Sequence, residues 1–478
     1  MAQTSEKTFF GHPRPLFTLF FTEMWERFSF YGMRALLVLY MTQYLFLEAD
    51  KGKDVWGYGA LKSGIEFFFG PQTAQGLSSH IYGNYMALVY FTPFFGGLLA
   101  DRYLGQRRAV YIGAILMSIG HFLMAAESMF FLALLFIIAG NGFFKPNIST
   151  QVGELYAPGD KRRDGAFTLF YMGINLGAFL SPLICGTLGQ KVGWHWGFGA
   201  AGVGMLLSLV IYHFGGKNLP QSQIKSSVHE VEAQAQQPLS KNDWTRTWAL
   251  TFLCVVTIFF WGVYEQQGNT LQLWADQSTD WNFFGWEMPS TWYQSFNPLI
   301  IFMFAPLLDI FWKWQSRRNG EPSTTMKMAM GCFMGTMALV VMFMAAKAVG
   351  EGKGSAVWLL GSTFLLTIGE LYLSPIGLSL VTKVSPKKIV SMMMGVWFLA
   401  SFFGNSVSGW IGSYYERMPK ENFFLLLAAL GLVPGVLFFI SNKVLTKSLN
   451  ASDEDSSSSK KSSSKITGNI GAQPEASL

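Results

Sequence analysis

Long stretches of this 478-residue chain carry no Asp, Glu, Lys or Arg, over distances that a water-soluble fold cannot hide. Ala109–Ala126 and Phe130–Gly142 are the clearest of them, and Leu16–Phe21 opens another. Inside a bilayer no water satisfies the backbone, so such a segment must be a helix or a strand of a closed barrel. Many of the runs approach or exceed the roughly 18–20 apolar residues that carry a helix across hydrocarbon, about twice what a barrel strand needs. The fold class expected is therefore all-α and membrane-embedded. Composition agrees, with 50% hydrophobic residues, 13% charged residues and a mean hydropathy of +0.29, against about 25% charged in soluble domains.

Apolar runs broken by Gly, Pro and charge give twelve spans. The first six lie near 16–45, 79–100, 108–126, 128–150, 164–190 and 196–215. The second six lie near 245–268, 290–315, 326–348, 355–383, 390–415 and 422–443. The expected organisation is an N-terminal six-helix bundle (1–215), a polar linker (216–244), a C-terminal six-helix bundle (245–443) and a disordered Ser- and Lys-rich tail (444–478). The first fifteen residues lead straight into the first span without a short apolar core and cleavage site, so that span is expected to stay in the mature protein. Cys185, Cys254 and Cys332 lie singly in apolar segments and read as small buried hydrophobes.

Basic residues set the orientation. Arg102, Arg107, Arg108, Lys161, Arg162, Arg163, Arg317, Arg318, Lys383, Lys387 and Lys388 all fall on one side. The opposite loop at 269–289 has Asp276, Asp280 and Glu287 and no Lys or Arg. Both termini are thus expected in the cytoplasm, in a plasma (bacterial inner) membrane. The halves echo one another, since Leu98-Leu99-Ala100-Asp101 before Arg107-Arg108 recurs as Leu307-Leu308-Asp309 before Arg317-Arg318. Two parallel six-helix repeats match the architecture of the major facilitator superfamily, and Gly97-x-x-x-Asp101-Arg102-x-x-Gly105-x-Arg107-Arg108 resembles its signature loop. The net charge of +6 resides in short loops and is no nucleic-acid signal. No GxxxxGK[ST] loop is present to use ATP, no HExxH occurs, and the six histidines do not cluster, so an enzyme is not expected.

Ionisable residues inside spans are functional candidates by default. Glu23, Glu26, Arg27, Tyr31 and Arg34 fall in one sector of the first helix at 100° per residue. Lys145 follows an apolar run in the fourth span, Glu265 ends Phe259-Phe260-Trp261 in the seventh, and Glu370 interrupts the tenth. Four carboxylates thus face three cations, Arg27, Arg34 and Lys145, which leaves one acid over. A buried carboxylate without a counter-ion takes up a proton, which outlines proton coupling. All three cations are in the first half, and Glu265 and Glu370 are in the second. A cleft between such walls suits a zwitterion.

Glu23-x-x-Glu26-Arg27-Phe28-x-Phe30-Tyr31-Gly32 resembles the ExxERFxYYG signature of the proton-dependent oligopeptide transporter family, and Phe170-Tyr171-x-x-Ile174-Asn175-x-Gly177 resembles its FYxxINxG signature. The resemblance runs from the first span to the twelfth. It implies a symporter that imports di- and tripeptides with protons by alternating access, with no cofactor besides the coupling proton. Arg27 and Lys145 would hold the peptide carboxylate, and Glu370, Asn175 and Asn297 the amino terminus. Tyr31 and Tyr90 would touch the peptide backbone, and Trp261 and Trp397 would wall side-chain pockets. Arg34 and Glu265 would pair across the cleft in some conformations, while Glu23, Glu26, Arg27 and Glu265 would couple the proton. Three departures stand out. Phe30 replaces the first signature tyrosine, Gly83 occupies the place of the animal members' histidine, and His80 is expected to face water. The short linker and the short loop at 346–355 suit a prokaryotic-type member. The alternative is proton-coupled transport of another small anion or zwitterion, as in nitrate-carrying plant relatives, which are expected to use the missing histidine.

Overall fold

The structure, a computed structural model, describes residues 8–47, 54–157, 159–219, 240–318, 320–386 and 389–467. The expected linker falls mostly outside the described residues, as do Lys387, Lys388 and residues 468–478. Twelve helices of 18 residues or more dominate the described residues. The N-terminal six are α1 (Arg14–Tyr40), α2 (Ala74–Leu99), α3 (Gln106–Leu123), α4 (Phe130–Glu154), α5 (Arg162–Ser181) and α6 (Trp194–Gly215). The C-terminal six are α7 (Lys241–Tyr264), α8 (Phe296–Arg317), α9 (Thr324–Val349), α10 (Ala356–Val384), α11 (Val390–Gly412) and α12 (Lys420–Thr467). Eight of the helical stretches are long and apolar enough to cross a membrane, and α1 is not among them. The reason is its own content of Arg14, Glu23, Glu26, Arg27 and Arg34, which breaks the apolar window.

Three features differ from the expected outline. The seventh span carries on beyond its expected end at 268: α7 ends at Tyr264, Glu265–Gly268 form a tight turn, and Asn269 breaks the axis before a short helix, Thr270–Gln277. A further helix, Tyr58–Phe69, lies between α1 and α2 and buries only Ile65. It brings Phe69 over the ring of His80, 4.5 Å between centroids, and His80 is 2% exposed. His80 is therefore shut away from water, contrary to the sequence reading, because a neighbouring segment covers it. The helix α12 continues to Thr467, over part of the expected tail.

Glycine lets these helices approach backbone to backbone, which is how small residues serve helix pairs in lipid. A Cβ on Gly177 would strike Met24 O and fall 2.9 Å from Phe28 N and 3.1 Å from Arg27 Cβ, so α5 crosses α1 directly against the Glu23–Arg27 segment. A Cβ on Gly32 would lie 2.6 Å from Cys185 Sγ in the continuation of α5. The glycines of both signature motifs thus belong to one crossing. In the N-terminal half, Gly96 of α2 meets the backbone of Gly142 in α4. Pro146 has no N–H to offer the Gly142 carbonyl, and Gly96 packs on that free oxygen.

Between the halves, backbone meets backbone at α2 and α11, where a Cβ on Gly83 would fall 2.5 Å from Gly409 Cα and 2.7 Å from Asn405 O. Side chains continue this seam: Ser79 Oγ donates to Asn269 Oδ1 at 2.9 Å, and Gln75 Nε2 to Gly412 O at 3.0 Å. Overpacking a tight contact costs about 1–3 kcal/mol. Gly96→Ala should therefore lower the melting temperature of the detergent-purified protein. Gly64→Ala, where a Cβ meets nothing within 4 Å, should leave it unchanged or raise it. Equal melting for Gly96→Ala and wild type would show that the α2–α4 contact is slack.

Candidate functional site

A cavity of about 590 Å³ lies between the halves. Tyr31, Arg34, Tyr90, Lys145, Asn175, Trp261, Glu265, Asn297, Glu370 and Trp397 all line it. These residues come from eight elements: α1, α2, α4 and α5 of one half, and α7 with its following turn, α8, α10 and α11 of the other. Helical period explains the local placement. Tyr31 and Arg34 are one turn apart on α1, and Lys145 directly precedes Pro146 inside α4.

The charges pair differently from the count made on the sequence. Arg34 Nη2 donates to Glu265 Oε2 at 2.7 Å, and its Nε donates to the Tyr82 hydroxyl at 2.7 Å. This ion pair joins α1 to the end of α7, and both residues line the cavity. Arg27 does not line the cavity. Its guanidinium is clasped by both oxygens of Glu26, lies 3.4 Å from Glu23 Oε1 and 3.3 Å from Asn141 Oδ1, and covers the Phe30 ring at 5.0 Å. Glu23, Glu26 and Arg27 are 2%, 0% and 3% exposed. Arg27 is thus engaged by two carboxylates on its own helix and stands outside the residues that line the cavity.

Lys145 and Glu370 are left over. Among the described residues no carboxylate oxygen lies within 4.0 Å of Lys145 Nζ, which instead sits 4.9 Å from the centre of the Tyr90 ring. Glu370 has no basic partner among the described residues. Its Oε2 accepts from the Tyr264 hydroxyl at 2.5 Å and from Asn297 Nδ2 at 3.0 Å. Asn297 is itself held by the Thr367 hydroxyl at 3.0 Å. The single odd acid expected from counting is thus one free cation and one free carboxylate, each on a different wall.

Sequence reasoning missed Tyr264, Tyr82, Asn141 and Thr367. Each is an uncharged polar residue, and without a charge of its own it reads like one that serves ordinary packing. Asn175 donates to Tyr171 O on its own helix at 2.9 Å, which leaves its carbonyl oxygen available to the cavity. Trp397 is 7% exposed, and a Cβ on Gly377 would strike its ring, so it is wedged against α10. Among the described residues no group of three His, Cys, Asp or Glu could hold a metal ion.

Comparison with known proteins follows the same lines. The sequence profile of the POT family matches residues 107–241 and 221–426. The chain is 35% identical to the peptide transporter YePEPT of Yersinia enterocolitica, over 86% of this chain and 89% of that protein. It is 32% identical to a di-/tripeptide transporter of Lactococcus lactis subsp. cremoris, over 93% of this chain and 98% of that protein. A crystal structure of a peptide transporter POT in complex with sulfate superposes with a TM-score of 0.81 at 32% identity, over 93% of this chain and 97% of that one.

Breaking a buried ion pair by removing one partner costs about 3–5 kcal/mol. Arg27→Ala leaves two buried carboxylates uncompensated and should lower thermal stability strongly. Lys145→Ala removes a cation that no carboxylate partners and should be tolerated. Thermal unfolding of the two purified variants in detergent compares them directly, and a larger loss for Lys145→Ala would overturn this ordering.

Proposed function

The chain belongs to the POT family, and on that premise we propose that it imports di- and tripeptides together with protons by alternating access. The observation that carries this reading is the pairing left open in the cavity. Lys145 offers a cation without a carboxylate, and Glu370 a carboxylate without a cation, from opposite halves of one cleft. A peptide brings the missing charge to each end. An inorganic anion would leave Glu370 facing it with repulsion, which disfavours the nitrate-like alternative. In this reading Lys145 holds the peptide carboxylate. Glu370, set by Tyr264 and Asn297, holds the amino terminus with Asn175. Tyr31 and Tyr90 follow the backbone, and Trp261 and Trp397 receive side chains.

The protein would sit in the plasma membrane with both termini in the cytoplasm, as two six-helix bundles with limits near 1–215 and 245–443. The ends of α1 and α7 then face outwards, so the Arg34–Glu265 pair and the Gly83–Gly409 contact close the outer side. The cavity would open to the cytoplasm, which is the state from which peptide is released.

Dialanine uptake into proteoliposomes tests the function, with accumulation expected only under an inward proton gradient. Contacts to a charged group contribute roughly 1.5–3 kcal/mol. Lys145→Ala and Glu370→Ala should each weaken dialanine binding to that extent in calorimetry. Blocking the peptide's amino group should hurt the wild type much more than Glu370→Ala. Wild-type affinity in both variants would remove the clamp.

Coupling is assigned to Glu26 first, with Glu23 as its partner beside Arg27 and Glu265 as a third carboxylate. Ionised Glu26 keeps Arg27 from the cavity, and a proton on Glu26 relaxes that hold so that Arg27 can reach a peptide carboxylate. Linkage is reciprocal, so bound peptide must raise the proton affinity of the carboxylate by the same factor. Release of peptide inside restores the ion pair and expels the proton. Folded Glu26→Gln and Glu23→Gln should keep peptide counterflow while proton-driven accumulation falls. Driven accumulation surviving in both would place the proton elsewhere.

A further inference from the structure

Beyond the cavity, four segments from both halves meet at one carboxylate. We infer that Asp276 is the centre of a second closure of the outer face, separate from the Arg34–Glu265 pair and built from neutral donors. The inference rests on the alternating-access reading above. Its parts are the continuation of α1 (Met41–Leu45) and that of α5 (Leu188–Val192) from one half. The short helix Thr270–Gln277 and the turn Ser290–Ser295 come from the other.

Asp276 Oδ2 accepts from Gln43 Nε2 at 2.5 Å. Its Oδ1 accepts from Gln190 Nε2 at 3.2 Å and from Ser290 Oγ at 2.7 Å. Gln190 is engaged at both ends: Nε2 also donates to Ser290 Oγ at 2.8 Å, and Oε1 accepts from Thr291 N at 3.2 Å and Thr291 Oγ1 at 3.0 Å. Gly186 makes room for this, since a Cβ there would strike Thr291 Oγ1. Both glutamines belong to one half, and Asp276, Ser290 and Thr291 to the other. No Lys or Arg lies within salt-bridge distance of Asp276 among the described residues.

A carboxylate is the side chain this junction requires. All three groups that face it are donors, and an ionised acid accepts through both oxygens. An amide would turn an NH2 towards one of them. Hydrogen bonds to an ionised acceptor are roughly twice as strong as neutral ones, so the latch gains strength without burying a second charge. When the outer face opens, Asp276 and both glutamines return to water, which hydrates each of them. The closure is therefore strong enough to hold and separable enough to cycle. It sets how much of the population is closed to the outside, not what the cavity binds.

The test needs no substrate. Ser79, fully buried in the α2–α11 seam, becomes a reporter as Ser79→Cys in a background with Cys185, Cys254 and Cys332 changed to Ala. Right-side-out membrane vesicles are treated with a membrane-impermeant maleimide, and labelling is normalised to folded protein. Asp276→Ala should label several-fold faster than the reporter alone, with Asp276→Asn between them. The Gln43→Ala/Gln190→Ala pair should reproduce the increase, and adding Asp276→Ala to that pair should add little, as residues of one network do. Unchanged labelling in folded Asp276→Ala would overturn the latch, as would a lower melting temperature with no change in labelling. Should Asp276→Ala fail to fold, the glutamine pair decides the same question. Dialanine uptake by the reporter protein separates the two readings. Uptake with unchanged labelling removes the latch alone, whereas faster labelling without uptake removes the transport reading and leaves the closure.

Discussion

Arg34 and Glu265 stand 2.7 Å apart with 10% and 2% of their side chains exposed, one from each half of the molecule. Two charges taken out of water repay their desolvation only through close geometry and further hydrogen bonds. The Tyr82 hydroxyl accepts one from Arg34 Nε, and Gly268 lets the chain pass, since a Cβ there would strike the Tyr82 hydroxyl and come 3.0 Å from Arg34 Nε. The break after Tyr264 brings Glu265 to the point where α1 can meet it. The end of the cavity, the approach of α1 to α7 and the shape of the turn at Glu265–Gly268 all depend on this pair being made.

With Arg34 and Glu265 engaged, and Arg27 enclosed by Glu23 and Glu26, the cavity keeps Lys145 and Glu370 as its uncommitted charges. Neither is left bare. The Tyr90 ring faces the ammonium group, a cation–π contact that holds it without neutralising it. Tyr264 and Asn297 give the carboxylate two donors and leave its charge in place. Neutral partners of this kind orient a charged group while leaving it available to an incoming one. The Asp276 junction follows the same logic, with glutamine and serine donors around a single acid.

Much of this was legible in the chain. The spacing of Glu23, Glu26, Arg27, Tyr31 and Arg34 on one helical sector, and the isolated charges at Lys145, Glu265 and Glu370, marked the polar positions, and of these Tyr31, Arg34, Lys145, Glu265 and Glu370 line the cavity between the halves. The outcome differed where a neighbour intervened. His80 was expected in water and is covered by Phe69, which belongs to a helix that sequence reading did not separate from a loop. Arg27 lies outside the cavity lining, its guanidinium clasped by Glu26 beside it in sequence. Tyr264 precedes Glu265 in an aromatic run, and its hydroxyl gains meaning only because α10 brings Glu370 within reach.

Helical period, hydrophobic length and the position of charges are properties of neighbouring residues, and so the sequence by itself determined the membrane-embedded helices and the candidate polar positions. Which charge finds which partner was decided by the tertiary structure. Arg34 and Glu265 are 231 positions apart, Asp276 and Gln43 are 233, and Tyr264 and Glu370 are 106. No local pattern encodes such pairs, because each depends on how closely glycine lets two helices approach and on where a helix breaks. Counting charges along the chain therefore gave one acid too many, while packing left one cation and one acid facing each other's half across an open cavity.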